Sequence, residues 1–246
     1  MTEDFIFGKN TIIEALNNYK ERINKILISK NINSDVKVKE ILDLAKVNKI
    51  AFQFVPKEKF IKYKDFNHQG IVAFVSPIEY KEIDDLLQTN DGEYKKVIIL
   101  DGVEDPHNIG AIIRTAVCAG FDAIIIPQHR GALINSTVEK TSVGAVNNID
   151  IVKVNSLLDA VKKLKDNNYW VIAADAHGKD NYFQVDYKDM NLVLIMGAEH
   201  AGVSKTLLKQ SDFIVKIPML NKFNSLNVSV SAGILIYEIV KQCMPK

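Results

Sequence analysis

A loop rich in amide and hydroxyl side chains follows an apolar segment in the stretch IPMLNKFNSLNVSV, residues 217–230. Its polar groups are Asn221, Asn224, Ser225 and Asn227. Small and β-branched residues from 228 onward predict the start of a helix, which Ser225 or Asn227 could cap through a side-chain oxygen. A cap does not account for the remaining asparagines, so the loop is a candidate site for binding or chemistry.

A second polar cluster follows an apolar run, in LDGVEDPHNIGAIIRTA at 100–116. Pro106 suits the first turn of a helix, where its missing N–H costs nothing. Asn108 comes next, and Gly110 indicates the close approach of another group. Arg114 lies one helical turn beyond Gly110. A strand–turn–helix with a solvated arginine explains this segment equally well. The pattern G-x-G-x-x-G does not occur here, which argues against a Rossmann nucleotide site.

A third cluster lies in LIMGAEHAGVS at 194–204, where Gly197, Glu199 and Gly202 follow an apolar run. Glycine after a strand lets a ligand approach backbone N–H and C=O groups. The segment by itself is also typical of an ordinary strand-to-helix connection. Because the carboxyl ends of parallel strands lie at one edge of a sheet, we expect the three clusters to converge there.

The elements that would position these clusters are short apolar runs separated by helical patterns. The runs lie at 97–100, 123–127, 149–154, 170–176, 192–197 and 213–218. Helical patterns lie at 107–119, 155–167 and 226–241. Continuous apolar strands that alternate with helices predict an α/β fold with a parallel sheet covered on both faces.

A smaller α/β unit precedes this region. Helical spacing at 10–19 and 35–50 alternates with strand-like segments at 23–29, 51–55 and 70–75. The polar stretch that follows contains Pro77 and Gly92 and predicts a linker with a short helix around 83–87. We therefore expect a domain at 1–76, a linker at 77–93 and a second domain at 94–246.

Composition limits the possible partners. Lys and Arg number 31 against 30 Asp and Glu, so a global basic field is absent and contact with a polyanion would need a local patch. No apolar run reaches the roughly 20 residues that a membrane span needs. Cys118 and Cys243 lack metal-ligand spacing, and the five histidines form no metal set. With no leader evident ahead of Met1, we expect reduced thiols in a cytoplasmic protein without a metal, with Cys118 in the core.

The three clusters together resemble the motifs of a known enzyme family. Asn108, Gly110 and Arg114 form N-x-G-x-x-x-R, residues 196–202 read M-G-A-E-x-x-G, and 217–230 ends in S-L-N-V-S-V. In this order and spacing they resemble the SpoU (TrmH-type) RNA ribose 2′-O-methyltransferases of the SPOUT superfamily.

The N-terminal segments GKNTIIEAL and HQGIVAFV are similar to the L30e-like RNA-binding domain of the RlmB subgroup, which methylates a guanosine of 23S rRNA. The resemblance implies S-adenosylmethionine as methyl donor, an rRNA substrate, a homodimer and a C-terminal trefoil knot. The segment Asn221-Lys222-Phe223 departs from the glycine and small residues that relatives have there.

The resemblance also implies roles for individual residues. Main-chain groups at Gly197, Ile217 and Leu226 would bind the cofactor. The catalytic set would be Arg114, Asn108, Glu199, Ser225 and Asn227. A guanidinium stays protonated at neutral pH, so we expect Arg114 to polarise the ribose hydroxyl and to stabilise developing negative charge.

Three other functions are compatible with parts of this pattern. The same chemistry could act on tRNA, although tRNA enzymes use basic terminal helices where this chain has a separate N-terminal unit. A non-catalytic RNA-binding or ribosome-assembly protein could share the scaffold, but the five candidate catalytic residues argue against it. A dehydrogenase of the Rossmann type would need the missing glycine fingerprint.

Overall fold

A computed structural model describes residues 4–88, 95–129, 134–221 and 225–244. The chain forms two compact units. The first contains residues 1–78 and 134–147, and the second contains 79–133 and 148–246.

The helices and strands are numbered in chain order. The strands are β1 (Asp4–Phe7), β2 (Ile23–Ser29), β3 (Phe52–Val55), β4 (Ile71–Val75), β5 (Lys96–Asp101), β6 (Ala123–Pro127), β7 (Asp150–Val154), β8 (Tyr169–Ala174), β9 (Asp180–Asn181), β10 (Asn191–Gly197) and β11 (Phe213–Lys216). The α-helices are α1 (Lys9–Asn18), α2 (Val36–Val47), α3 (Ile83–Gln88), α4 (Pro106–Cys118), α5 (Ser136–Thr141), α6 (Leu157–Asp166), α7 (Lys205–Leu208) and α8 (Val228–Cys243).

The first unit is built on a four-stranded sheet with the order β1-β4-β2-β3. Strand β4 pairs antiparallel with β1 and β2, and β3 pairs parallel with β2. One face packs against α1 and α2 through an aliphatic core that includes Ile12, Ile26 and Ile41. The other face is covered by the 3₁₀ segment Lys57–Tyr63, whose Phe60 and Tyr63 are buried. Both layers follow from the alternation of apolar residues along the strands.

Residues 134–147 also belong to the first unit, where α5 contacts β1. Glu139 on α5 forms an ion pair with Arg22 at 2.8 Å, and both side chains are largely buried. The guanidinium also donates to the Ser76 carbonyl oxygen at 2.8 Å. Burial raises the pKa of Glu139, and the charge of Arg22 acts in the opposite direction. The sequence patterns assign no helix to 136–141 and place it within 94–246, because six residues are too few to show a helical period.

The second unit contains a seven-stranded sheet with the order β7-β6-β5-β10-β8-β11-β9. The pairings within it are parallel, with Val193 opposite Val97 on one side of β10 and Val171 on the other. Alternate strand residues pack against α3, α6 and α7, and α8 contacts β10 and α4 on the opposite face. The predicted α/β class with a covered parallel sheet is therefore confirmed.

The apolar runs predict β5, β6, β7, β8, β10 and β11, and each forms. The helix expected around 83–87 forms as α3. Lys81 pairs with Val152 of β7, so the beginning of the predicted linker joins the second unit's sheet. The rest of the linker includes 89–94, which lies outside the described residues. The predicted trefoil knot involves the path through 222–224, also outside them, and it stays a prediction.

Removing the Glu139 carboxylate should destabilise the first unit. In Glu139→Ala the Arg22 guanidinium stays largely buried without its counter-ion, which typically costs about 3 kcal/mol or more. Urea unfolding followed by circular dichroism measures this loss. The control is Asp43→Ala, which breaks an exposed pair with Lys46 and should cost about 0.5 kcal/mol or less. Equal losses in the two variants would contradict the assigned role of the buried pair.

Candidate active site

Three side chains from separate chain segments meet at the carboxyl edge of the second unit's sheet. Asn108 lies in the first turn of α4, Glu199 follows β10, and Asn227 precedes α8. Asn108 Nδ2 donates to Glu199 Oε1 at 2.9 Å. Asn227 Nδ2 donates to Asn108 Oδ1 at 2.9 Å and to Glu199 Oε1 at 3.0 Å. We call these three residues the polar junction.

Asn227 has two functions in this arrangement. Its Oδ1 accepts from Ser229 N at 2.9 Å and Val230 N at 3.4 Å, which caps α8. Because the oxygen must face the helix, the amide nitrogen faces Asn108 and Glu199. The helix cap expected in this loop is confirmed at Asn227, and it also orients the group that holds the polar junction together.

Glu199 receives both amide N–H groups on a single oxygen. Its Oε2 accepts no hydrogen bond from the described residues, and the side chain is exposed. Asn108, by contrast, is only 7% exposed. A buried amide therefore fixes one oxygen of a carboxylate while the other can still accept a proton or a hydroxyl group. This arrangement can orient a hydroxyl group for reaction.

A cavity of about 850 Å³ adjoins the polar junction and includes Glu199 in its wall. It lies where β8, β10 and β11 end, and its size falls in the range of small-molecule sites. The predicted site residues that line it are Gly197, Glu199, Ile217, Ser225 and Leu226. The structure thus brings the predicted cofactor-binding residues to one cavity and the amide residues to its edge.

Gly197 is required by the close approach of the chain itself. A Cβ built at this position would lie 2.1 Å from Gly202 C and 2.2 Å from Val203 N. Gly202 N donates to Ala198 O at 2.9 Å, so the loop turns back onto the end of β10. The glycine was expected to admit a ligand, whereas the backbone that approaches it most closely is that of residues 202–203.

The structure does not bring Arg114 to the polar junction or to the cavity wall. Arg114 is exposed on α4, and within the described part of the chain it forms no hydrogen bond or ion pair. It follows Asn108 by six residues, which corresponds to about 120° around the helix axis. Its predicted catalytic role would therefore need RNA or another chain nearby. Cys118, expected in the core, is exposed at the end of the same helix.

Sequence reasoning assigned no role to Asp175, His177 or His200, which lie in the cavity wall. Asp175 directly follows β8 and His177 lies two residues further, so polar residues at the carboxyl end of a strand were the available signal. The segment Lys222–Asn224 lies outside the described residues, so the expected effect of the Asn221-Lys222-Phe223 departure stays untested. Among the described residues, no group of acidic, histidine or cysteine side chains could hold a metal ion. No helix in the described ranges is long and apolar enough to cross a membrane.

The family models and similar known proteins point to one family. The SpoU rRNA Methylase family model matches residues 95–237, and a model described as RNA 2′-O ribose methyltransferase substrate binding matches 5–81. A Staphylococcus saprophyticus protein named for the TrmH family of tRNA/rRNA methyltransferases is 39% identical, covering 98% of this chain and 97% of its own. A Staphylococcus epidermidis protein of the same name is 38% identical over the same shares.

Solved structures show the same fold. The SpoU methyltransferase AviRb from Streptomyces viridochromogenes, in complex with AdoMet, superposes with a TM-score of 0.81 at 23% identity, covering 98% of this chain and 90% of its own. An AdoMet-bound rRNA methyltransferase from Sinorhizobium meliloti gives 0.79 at 24% identity, covering 99% and 88%. The chain belongs to the SpoU family of RNA methyltransferases, as its three motifs indicated.

The two functions of Asn227 can be separated by substitution. Asn227→Asp keeps an oxygen that caps α8 but loses the two N–H donors and places a second carboxylate beside Glu199. Asn227→Ala loses the cap as well, which should lower the free energy of unfolding by about 1 kcal/mol.

We expect Asn227→Asp to lower the free energy of unfolding by about 1 kcal/mol or more although it keeps the cap, because two carboxylates become neighbours and repel each other. Urea unfolding followed by circular dichroism measures this loss, with Asn221→Asp as the control that adds an equal charge earlier in the same loop. Equal free energies of unfolding for the two aspartate variants would mean that the polar junction is not formed in solution.

Proposed function

We propose that this protein transfers a methyl group from S-adenosylmethionine to the 2′-hydroxyl of a guanosine ribose in 23S rRNA. One observation supports this most strongly. The polar junction of Asn108, Glu199 and Asn227 adjoins a cavity lined by Gly197 and Ile217, so groups that orient a hydroxyl lie beside a site for a small molecule.

The cavity fits a nucleoside-containing cofactor. Its wall combines apolar side chains of Met196, Ile217 and Leu226 with backbone groups at strand ends. Apolar walls with a few polar groups suit a purine and its sugar. Gly197, Ile217 and Leu226 would hold the cofactor, which supplies an electrophilic methyl group when bound.

The chain's own residues would position the target hydroxyl and handle its proton. A ribose 2′-hydroxyl is a weak nucleophile, so it must be aligned and must lose its proton during transfer. Asn108 and Asn227 hold Glu199 in one orientation, and its free oxygen could accept a hydrogen bond from that hydroxyl. Ser225 also lies in the cavity wall. Arg114, exposed on α4, would contact an RNA phosphate and stabilise negative charge on the oxygen.

The first unit would bind the RNA. The substrate-binding model matches 5–81, and residues 1–78 contain 13 Lys and Arg against 9 Asp and Glu. The segment 57–64 contributes Lys57, Lys59, Lys62 and Lys64, which are exposed. None of these four lysines forms an ion pair within the described ranges. We call them the lysine patch, and it supplies the local basic surface that the near-neutral chain needs.

A homodimer is part of the same proposal. Helix α8 exposes Val230 and Tyr237, which are each 51% exposed and lie two turns apart on one face. An apolar stripe of this kind suits a second copy of the chain, and light scattering at micromolar concentration would reveal it. The cytoplasmic location stays a prediction that accompanies the ribosomal substrate.

A tRNA substrate is the second candidate. The Staphylococcus relatives are named for tRNA/rRNA methyltransferases, a name that includes both substrates. The separate substrate-binding unit at 5–81 supports the larger rRNA target. A non-catalytic RNA-binding protein on the same scaffold would not need the oriented carboxylate of the polar junction.

Removing Arg114 should slow methyl transfer strongly and spare cofactor binding. Arg114→Ala should lower the single-turnover rate on a 23S rRNA fragment by about 10²- to 10³-fold, because the complex with RNA would lose a guanidinium that stabilises negative charge on the reacting oxygen. Affinity for S-adenosylmethionine should change little, since Arg114 lies outside the cavity wall. Arg114→Lys should rescue poorly because one ammonium cannot replace the planar guanidinium. Near wild-type turnover in the alanine variant would remove Arg114 from the mechanism.

Neutralising the lysine patch should weaken RNA binding and its salt dependence. Replacing all four lysines by Gln should reduce the slope of log K against log salt by about 0.7 for each phosphate that the variant no longer neutralises. The matched control replaces Lys37, Lys39, Lys46 and Lys49 by Gln. It removes equal charge from the region of α2, where Glu40 and Asp43 lie between the lysines. Equal effects of the two sets would show that net charge, and not the patch, governs binding.

A further inference from the structure

Asp175 is a charged residue of the cavity wall that lies outside the polar junction. It directly follows β8, and its side chain is 15% exposed. Its Oδ1 accepts from His177 N at 2.8 Å and lies 3.2 Å from His177 Nδ1. Oδ2 forms no hydrogen bond with the described residues. A largely buried carboxylate with one oxygen unused is expected to meet a donor from a ligand.

The unused oxygen is directed toward Gly202. A Cβ built on Gly202 would lie 3.2 Å from Asp175 Oδ2, and the φ of +65° at this position favours glycine. Both residues line the cavity. A side chain at position 202 would contact this oxygen, and glycine leaves that space empty.

The turn that holds Asp175 is fixed by backbone contacts. Asp175 N donates to Val215 O of β11 at 3.0 Å, and Gly178 N donates to Asp175 O at 3.0 Å. A Cβ on Gly178 would lie 2.6 Å from Val215 C, so the turn packs directly on β11. Because the turn cannot shift freely, the direction of the carboxylate is set before a ligand binds.

We propose that Asp175 binds the vicinal ribose hydroxyls of the nucleoside cofactor and so selects ribonucleosides over deoxyribonucleosides. A carboxylate is acceptor-only when ionised, and hydroxyl groups are neutral donors that it can pair with at short range. An acidic residue at a strand end holds ribose hydroxyls in the same way in dinucleotide-binding sheets. The inference rests on the proposed function, because it assigns one contact within the same cavity.

The position of Asp175 relative to the polar junction supports this assignment. The polar junction links β10 to α4 beside β5, whereas Asp175 follows β8 on the other side of β10. A cofactor that places its methyl group near Glu199 would extend its nucleoside along the cavity toward β8 and β11. The ribose hydroxyls are the donors that a nucleoside offers along this path.

The test measures binding of S-adenosylhomocysteine and its 2′-deoxy and 3′-deoxy analogues to the full chain by calorimetry. Asp175→Asn keeps an oxygen for His177 N, so the turn is retained, and it removes the charge. We expect the wild type to lose about 10- to 100-fold in affinity when a bound hydroxyl is removed. Asp175→Asn should lose a similar factor for S-adenosylhomocysteine and should no longer distinguish it from the deoxy analogues.

The control is Asp180→Asn, which removes an equal charge from β9 outside the cavity wall and should leave all affinities within about twofold. Loss of affinity in Asp175→Asn that is equal for the parent and the deoxy ligands would overturn the inference. So would a loss that disappears with 5′-methylthioadenosine, because Asp175 would then pair with the ammonium of the amino-acid part.

Two further outcomes keep the inference and the proposed function distinguishable. If the wild type binds S-adenosylhomocysteine and its deoxy analogues equally, only the role of Asp175 is wrong. If the wild type does not bind S-adenosylhomocysteine, both fail. If Asp175→Asn does not fold, the affinities of the wild type still test the inference. Equal affinity for S-adenosylhomocysteine and its deoxy analogues would overturn it, because a carboxylate that binds the ribose hydroxyls must make the wild type discriminate.

Discussion

The site depends on the amide of Asn227, which serves a helix and a carboxylate at once. Its oxygen caps α8 at Ser229 N, and its nitrogen binds Asn108 and Glu199. If the Asn227 amide flipped, its nitrogen would face the helix N–H groups and the cap would be lost. Folding of α8 therefore fixes the orientation of the polar junction. One asparagine of this asparagine-rich loop therefore couples the stability of α8 to the geometry of the site.

The parallel sheet provides the frame in which this coupling is possible. The carboxyl ends of β5, β8, β10 and β11 lie at one edge, and backbone contacts hold the intervening turns close to the strands. Gly197 and Gly178 are needed because another backbone segment presses against each of them. The cavity is formed by turns that have little room to move, which favours a preorganised site.

The strands could be predicted from the sequence because buried parallel strands are continuous apolar runs, as in β5 and β6. The strands and helices that escaped prediction are short. Strand β1 has four residues and α5 has six, and both are stabilised by packing between distant segments of the first unit. Sequence motifs also identified the polar junction, since Asn108, Glu199 and Asn227 meet as expected. They could not place Arg114, because its helical face depends on what packs around α4.

Mapping of 2′-O-methyl groups on RNA is the most direct test of the proposed ribose methylation of one guanosine in 23S rRNA. Ribosomal and transfer RNA from cells with and without the gene should differ at a single 23S guanosine. The wild-type gene should restore that methyl group, and a Glu199→Gln variant should not, because the carboxylate of the polar junction is lost. Loss of a methyl group from tRNA instead, or identical maps in both strains, would contradict the account.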